Sequence, residues 1–157
     1  GCEKILHFKG STAVESPYHE RHFEFERIMK KNHVDVYSYE LEWNRLDSEY
    51  YQKVVEDVFS EDFDFDGVFA VDRMAIACMN NVIRHHRKVP EDVKIVAYDG
   101  TFITDIVEPK VTAVVQPIKS LAKESVRLLA NRINGVAYNN KQVMLGVTLK
   151  KGNTTIV

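Results

Sequence analysis

The chain has 157 residues, 45% of them hydrophobic, with 23 acidic and 21 basic residues for a net charge of −2. That is enough apolar material for one sizeable core, so a single compact lobe is expected. No basic block is present that would track phosphates, so this segment is not expected to bind DNA directly, and no run approaches the roughly 20 apolar residues of a membrane span.

Lys4–Lys9 reads as a first strand, followed by a polar loop opening at Gly10-Ser11-Thr12. A helix follows from about Pro17 to Lys31, with Arg21, Phe25, Ile28 and Met29 along one side. Val34 to Trp43 alternates as a second strand. The next helix, Ser48–Phe59, carries two adjacent i, i+4 rows, Tyr50/Val54/Val58 and Tyr51/Val55/Phe59. Then come a strand (Gly67–Val71), a helix (Arg73 to about Arg87) and another strand (Val93–Tyr98), which together form a βαβ unit with parallel strands. A strand from Val111 to Val115 leads to Pro117, well placed in the first turn of a helix whose Ile118, Leu121, Leu128, Leu129 and Ile133 form a stripe ending at Gly135. Val143, Leu145, Val147 and Leu149 alternate as a late strand. The repeated strand-helix order predicts an α/β fold, a doubly wound and mostly parallel sheet.

Two strands of the central unit end in aspartate, Val71-Asp72 and Tyr98-Asp99. Open parallel sheets bind ligands at the carboxyl ends of their strands. Carboxylates there suit a small ligand with hydroxyls or amines to donate. Asp72 could instead cap its helix, and Asp99-Gly100 could be a plain turn. Arg21 could be a solvated helix residue and Trp43 an ordinary core aromatic. His85-His86, between Arg84 and Arg87 at a helix end, suits the helix dipole better than a metal site. Cys2 and Cys78 form no disulfide framework or metal spacing, and a reducing cytoplasm is expected.

The words VPEDVKIVAYDG, AVDRMAIA, VTAVVQP and LKKGNTT together resemble the effector-binding core of LacI/GalR (lactose-repressor-type) transcriptional regulators, over nearly the whole chain. The resemblance implies a periplasmic-binding-protein-like lobe and an incomplete two-lobed core: residues 1–116 as the C-terminal lobe, 117–135 as a helix of the N-terminal lobe that is otherwise missing, and 136–157 as return strands. It implies ligand-binding roles for Arg21, Trp43, Asp72, Asp99 and Gln116, with a sugar as effector. Operator DNA would be bound only through a head outside these residues, by a homodimer. The dimer contact is expected on the central helix at Met74, Ile76 and Met79, where the first turns are apolar all round. Three departures from the family pattern stand out: Val71 in place of Asn, Ser or Thr, Glu24 in place of glycine in the first helix, and Ala97 in place of the glycine before Tyr98.

Rival functions fare worse. A phosphoacceptor domain would want acidic residues after the first strand to hold Mg²⁺, and this strand ends in Lys9-Gly10. Neither GxGxxG nor GxxxxGK[ST] occurs, and no nucleophile elbow or Cys/His pairing supports catalysis. No cofactor is expected. A sugar-transport binding protein with the same two-lobed fold is the serious alternative.

Overall fold

The computed structural model describes residues 1–155 except 12–16, 43, 44, 46, 62 and 137–141. Its strands are β1 (Lys4–Lys9), β2 (Asp35–Glu40), β3 (Gly67–Val71), β4 (Lys94–Asp99), β5 (Thr112–Val115) and β6 (Thr148–Lys150). Its α-helices are α1 (Pro17–Lys31), α2 (Ser48–Ser60), α3 (Asp72–Arg84) and α4 (Ile118–Ile133). The strands form one sheet in the order β2-β1-β3-β4-β5-β6. The first five are parallel, and β6 runs antiparallel on β5.

Alternation along the strands sends side chains to two faces. Leu6 and Phe8 of β1, Val68 and Ala70 of β3, and Ile95 and Ala97 of β4 share one core with Val54, Val55 and Val58 of α2 and Met74, Cys78 and Val82 of α3. On the other face His7 and Phe69 meet α1 through Phe25, whose ring stacks on Phe69 at 4.6 Å. Helices on both faces make the sheet doubly wound, as expected.

Asp47 caps α2 by accepting from the Tyr50 N–H at 2.8 Å, which satisfies one of the first-turn donors. No side chain caps α3: the position before it is Val71, and Asp72 lies inside the first turn. The capping role considered for Asp72 is therefore replaced by another, described below. α4 ends with Gly135 at φ +71°, closed by Val136 N–H to Asn131 O and Gly135 N–H to Arg132 O, a Schellman motif at the glycine expected to stop the helix.

Two expectations need correction. The late strand is only Thr148–Lys150; residues 142–147 have no strand partner, so the alternation of Val143, Leu145 and Val147 is not used in a sheet. Met74 and Met79 are 0% and 1% exposed and belong to the core, so Ile76, half-buried, is the one of the three expected contact residues that reaches the surface. Arg73 and Asn80 are exposed and break the all-round apolar character of that helix.

The closing LKKGNTT word stitches the chain end to the sheet. Thr154 is fully buried; its hydroxyl donates to Ile95 O at 2.6 Å and accepts from Thr112 N–H at 2.9 Å. Gly152 lies where a Cβ would sit 2.3 Å from Lys110 O, so only glycine fits.

Candidate functional site

The carboxyl ends of β1, β3 and β4 open on a cleft of about 560 Å³, within the size range of small-ligand sites. Arg21, Asp72 and Asp99 line it together, with Gly10 and Ser11 after β1, Glu42 and Arg45 after β2, and Arg73 at the start of α3. Gln116 is not on the wall but bonds to Asp99. Trp43 lies outside the described residues.

Each charged group is held differently. The Arg21 guanidinium lies 3.9 Å from the centroid of the Tyr98 ring, a cation–π contact that fixes it beside the strand end. Asp72 is 3% exposed. Its Oδ1 accepts from Gly100 N–H at 3.1 Å, and its Oδ2 accepts from the N–H and the hydroxyl of Thr101, both at 2.6 Å. It thus ties the turn after β4 to the start of α3. Asp99 is half-buried, and burial raises its carboxyl above the usual range, the Gln116 hydrogen bond and Arg21 opposing that rise while Asp72 adds to it. Its φ of +109° is unusual for a non-glycine residue, and such strain collects at ligand sites. Gly100 follows at φ +65°, where a Cβ would come within 2.6 Å of Val115. Asp99-Gly100 is therefore both a turn and part of the cleft wall.

The loop after β1 rests on a buried polar chain. Gly10 N–H donates to His22 Nε2 at 3.0 Å, which leaves the proton of a neutral His22 on Nδ1. That nitrogen donates to His7 Nε2 at 3.0 Å, and His7 Nδ1 faces the Ser38 hydroxyl at 3.3 Å. Ser38 in turn donates to Glu26 at 2.7 Å. Burial is the main reason that His7 is lowered to about 3 and His22 to about 4, with nearby positive charge adding to it.

Phe8, Leu41, Tyr51 and Val71 supply an apolar wall, with Phe102 and Ile103 also lining the cleft. Of these, only Val71 drew notice in the sequence, as an apolar residue where the resembled family has Asn, Ser or Thr. Phe8 and Tyr51 read as core positions, and only the fold shows that they border the cleft.

Beside Ile76 runs a second groove of about 650 Å³, bounded by α2, α3 and the segment carrying Ile103, Ile106 and Val107. Ile106 is 71% exposed, so apolar surface continues out of the groove. α4 has no buried residue; Ile118, Leu129 and Ile133 of its stripe are all at least 60% exposed.

A family model for the periplasmic binding protein-like domain matches residues 1–155. The HTH-type transcriptional regulator CelR of Thermobifida fusca is 41% identical over 73 residues, 46% of this chain and 22% of that protein. The ribose operon repressor of Halalkalibacterium halodurans is 29% identical over 134 residues, 85% of this chain and 39% of that protein. A solved periplasmic binding protein/LacI transcriptional regulator from Alkaliphilus metalliredigens QYMF, complexed with D-xylulofuranose, has a TM-score of 0.83 at 26% identity, covering 100% of this chain and 58% of that one. The chain spans less than half the length of the two curated relatives. It belongs to the periplasmic binding protein-like domain family, in the form of the LacI/GalR effector-binding core.

Proposed function

We propose that this chain is the C-terminal lobe of the effector-sensing core of a LacI-type transcriptional regulator, and that the effector is a sugar. The observation that carries this reading is the convergence of Arg21, Asp72 and Asp99 on one cleft at the carboxyl edge of a parallel sheet. Arg21 offers a fork of donors to ring and hydroxyl oxygens, and Asp99 accepts from vicinal hydroxyls through charge-assisted bonds. The reading makes Trp43 a cleft residue, gives Gln116 the task of holding Asp99, and requires no cofactor, metal or catalytic step.

The exposed stripe of α4 supports assigning residues 117–135 to the facing lobe, with 136–157 returning to this one. A sugar bound between the lobes would favour one arrangement of them and so change operator affinity of a DNA-binding head elsewhere in the protein. That coupling requires different sugar affinity in the two arrangements. A homodimer through the Ile76 groove, working in the cytoplasm, completes the reading. The regulator is favoured over a transport protein because both curated relatives are named as regulators.

The test is operator binding by the full-length protein with and without sugars. A sugar that shifts operator affinity in wild type but not in Arg21→Ala establishes the role. A secretion signal in place of a helix-turn-helix head in the full-length sequence would make it a transport protein instead.

A further inference from the structure

The part of the cleft formed by Gly10 and Ser11 is gripped by side chains that stand behind its lining. Gly10 N–H donates to His22 Nε2 at 3.0 Å, and the Ser11 carbonyl accepts from His19 Nε2 at 3.2 Å. From His22 the hydrogen bonds run on through His7 and Ser38 to Glu26. Both ends of this chain are chemically fixed. A backbone N–H can only donate and a carboxylate can only accept, so with neutral imidazoles a single arrangement of protons satisfies every bond. His22 and His7 each carry the proton on Nδ1, and the Ser38 hydroxyl points at Glu26. Burial is the main reason that both histidines are lowered, to about 4 and about 3, and it keeps them neutral at pH 7. Hydrogen bonds that all run one way polarise one another.

Packing alone gives no reason for these polar groups. His7 is 0% exposed, and its ring lies 4.5 Å from that of Phe25 and 5.5 Å from that of Phe69. A phenyl ring there would leave no buried nitrogen to satisfy. What the chain does achieve is alignment. His22 and Glu26 are four residues apart on one face of α1, and they fasten that face to His7 and Lys9 of β1 and to Ser38 of β2. Arg21 is the residue next to His22, so the same clasp sets the direction in which α1 offers its guanidinium to the cleft.

We propose that His22, His7, Ser38 and Glu26 are positioning residues: a one-way hydrogen-bond relay that holds the Gly10-Ser11 wall and Arg21 in place for the effector without touching it. The inference rests on the sugar-sensing reading above.

The experiment uses the full-length protein at neutral pH and three variants. His22→Leu removes both ring nitrogens, His22→Gln restores an acceptor, and Ser38→Ala breaks the relay away from the cleft. Each is read by amide exchange at Gly10, by urea unfolding, and by calorimetry with D-glucose, D-galactose, D-ribose, sucrose and cellobiose. In His22→Leu, Gly10 should exchange about 3- to 10-fold faster, the worth of one hydrogen bond. The wild type's tightest sugar should bind weaker by about the same factor. The urea midpoint should stay level or rise, since leucine needs no polar partner. His22→Gln should recover most of both losses. Ser38→Ala should show them in smaller measure, and it takes the place of His22→Leu if that variant does not fold. Unchanged exchange at Gly10 overturns the relay. Wild-type affinity despite faster exchange overturns the positioning role, as does an affinity that falls only with the urea midpoint and is not rescued by glutamine. If the wild type binds none of these sugars, the sugar-sensing reading and the effector half of the proposal fall together, while exchange at Gly10 still decides the relay.

Discussion

Gln116 grips Asp99 at two points: its backbone N–H donates to the Asp99 carbonyl at 3.1 Å, and its side-chain Nε2 donates to Asp99 Oδ1 at 2.5 Å. The first bond extends the β4–β5 pairing by one step, and the second orients the carboxylate toward one oxygen. Because Pro117 and α4 follow directly, the ligand-facing end of β4 is joined to the strand that leads into the helix assigned to the facing lobe. On the proposed two-lobe reading, a change in lobe arrangement would pull on the same two bonds.

Asp99 and Arg21 should therefore dominate ligand affinity on this lobe. Asp99→Asn is the informative change, because asparagine tolerates the positive φ of this position better than most residues. It and Arg21→Ala should each weaken effector binding by about 2 kcal/mol, close to 30-fold, as a charge-assisted bond is lost and its partner left unmatched. Calorimetry on the full-length protein is the check. Unchanged sugar affinity in both variants would remove the site assignment.

Asp72 should behave differently, as a fastener more than a ligand contact. Three hydrogen bonds converge on a carboxylate that is 3% exposed, and removing it strands the donors of Gly100 and Thr101. Asp72→Ala should cost about 3 kcal/mol of stability in urea unfolding, whereas Arg21→Ala should cost under about 1 kcal/mol. An Asp72→Ala protein as stable as wild type but deaf to its effector would reverse these roles.

These contrasts mark what sequence could and could not convey. Strands β3 and β4 were legible because they are short apolar runs ending in aspartate, and the parallel order followed from the helix between them. The position of Asp72 and Asp99 at the strand ends was legible for the same reason, whereas Arg21, on α1, was pointed to by the family resemblance alone. The three bonds to Asp72 were not, since their donors sit 28 and 29 residues away on a turn whose shape depends on Gly100 packing against Val115. Met74 and Met79 were misplaced because a helix with apolar residues on every side does not say which side faces the sheet. The alternation of 143–147 misled because period two needs a neighbouring strand, and only Thr148–Lys150 finds one.

The His7–His22 pair makes stability sensitive to acid. Both histidines have lowered values, about 3 and about 4 against 6.5, because they are buried. Above pH 6.5 they are neutral whether the chain is folded or not, and their environment costs nothing. As pH falls below 6.5 the unfolded chain takes up protons that the folded one refuses, until about pH 4 for His22 and about pH 3 for His7. Each refusal should remove about 1.4 kcal/mol per pH unit across its window. Urea midpoints between pH 7 and pH 4.5 should drop steeply, and less so in a His7→Phe/His22→Leu double variant. Equal slopes for the two proteins would exclude the pair as the cause.

Ile76 tests the proposed subunit contact. It is half-buried on the groove it shares with Ile103, Ile106 and Val107, and a symmetric pair is the commonest way to cover such a surface. A charge placed there would be desolvated without a partner in a dimer, yet tolerated in a monomer. Ile76→Asp in the full-length protein should shift sedimentation from dimer to monomer. An unchanged sedimentation coefficient rules out this groove as the interface.

The last expectation concerns these 157 residues by themselves. Pockets bury roughly 70–90% of a small ligand, and on the proposed two-lobe reading this cleft would be one of two walls. Water would compete at the open face for every hydroxyl, so Asp99 and Arg21 would gain little over solvation. The α4 stripe adds a second consequence. With Ile118, Leu129 and Ile133 exposed and no residue of the helix buried, most of its apolar side has no cover among the described residues. Such a surface should pair with another copy at working concentrations. The isolated chain is therefore expected to self-associate, with Leu129→Lys reducing the association, and to bind no sugar tighter than about 1 mM, or about −4 kcal/mol. Titration with mono- and disaccharides alongside sedimentation of the two proteins checks both points. One clear micromolar isotherm from this chain would mean that a single lobe suffices, and the two-walled site would have to be abandoned.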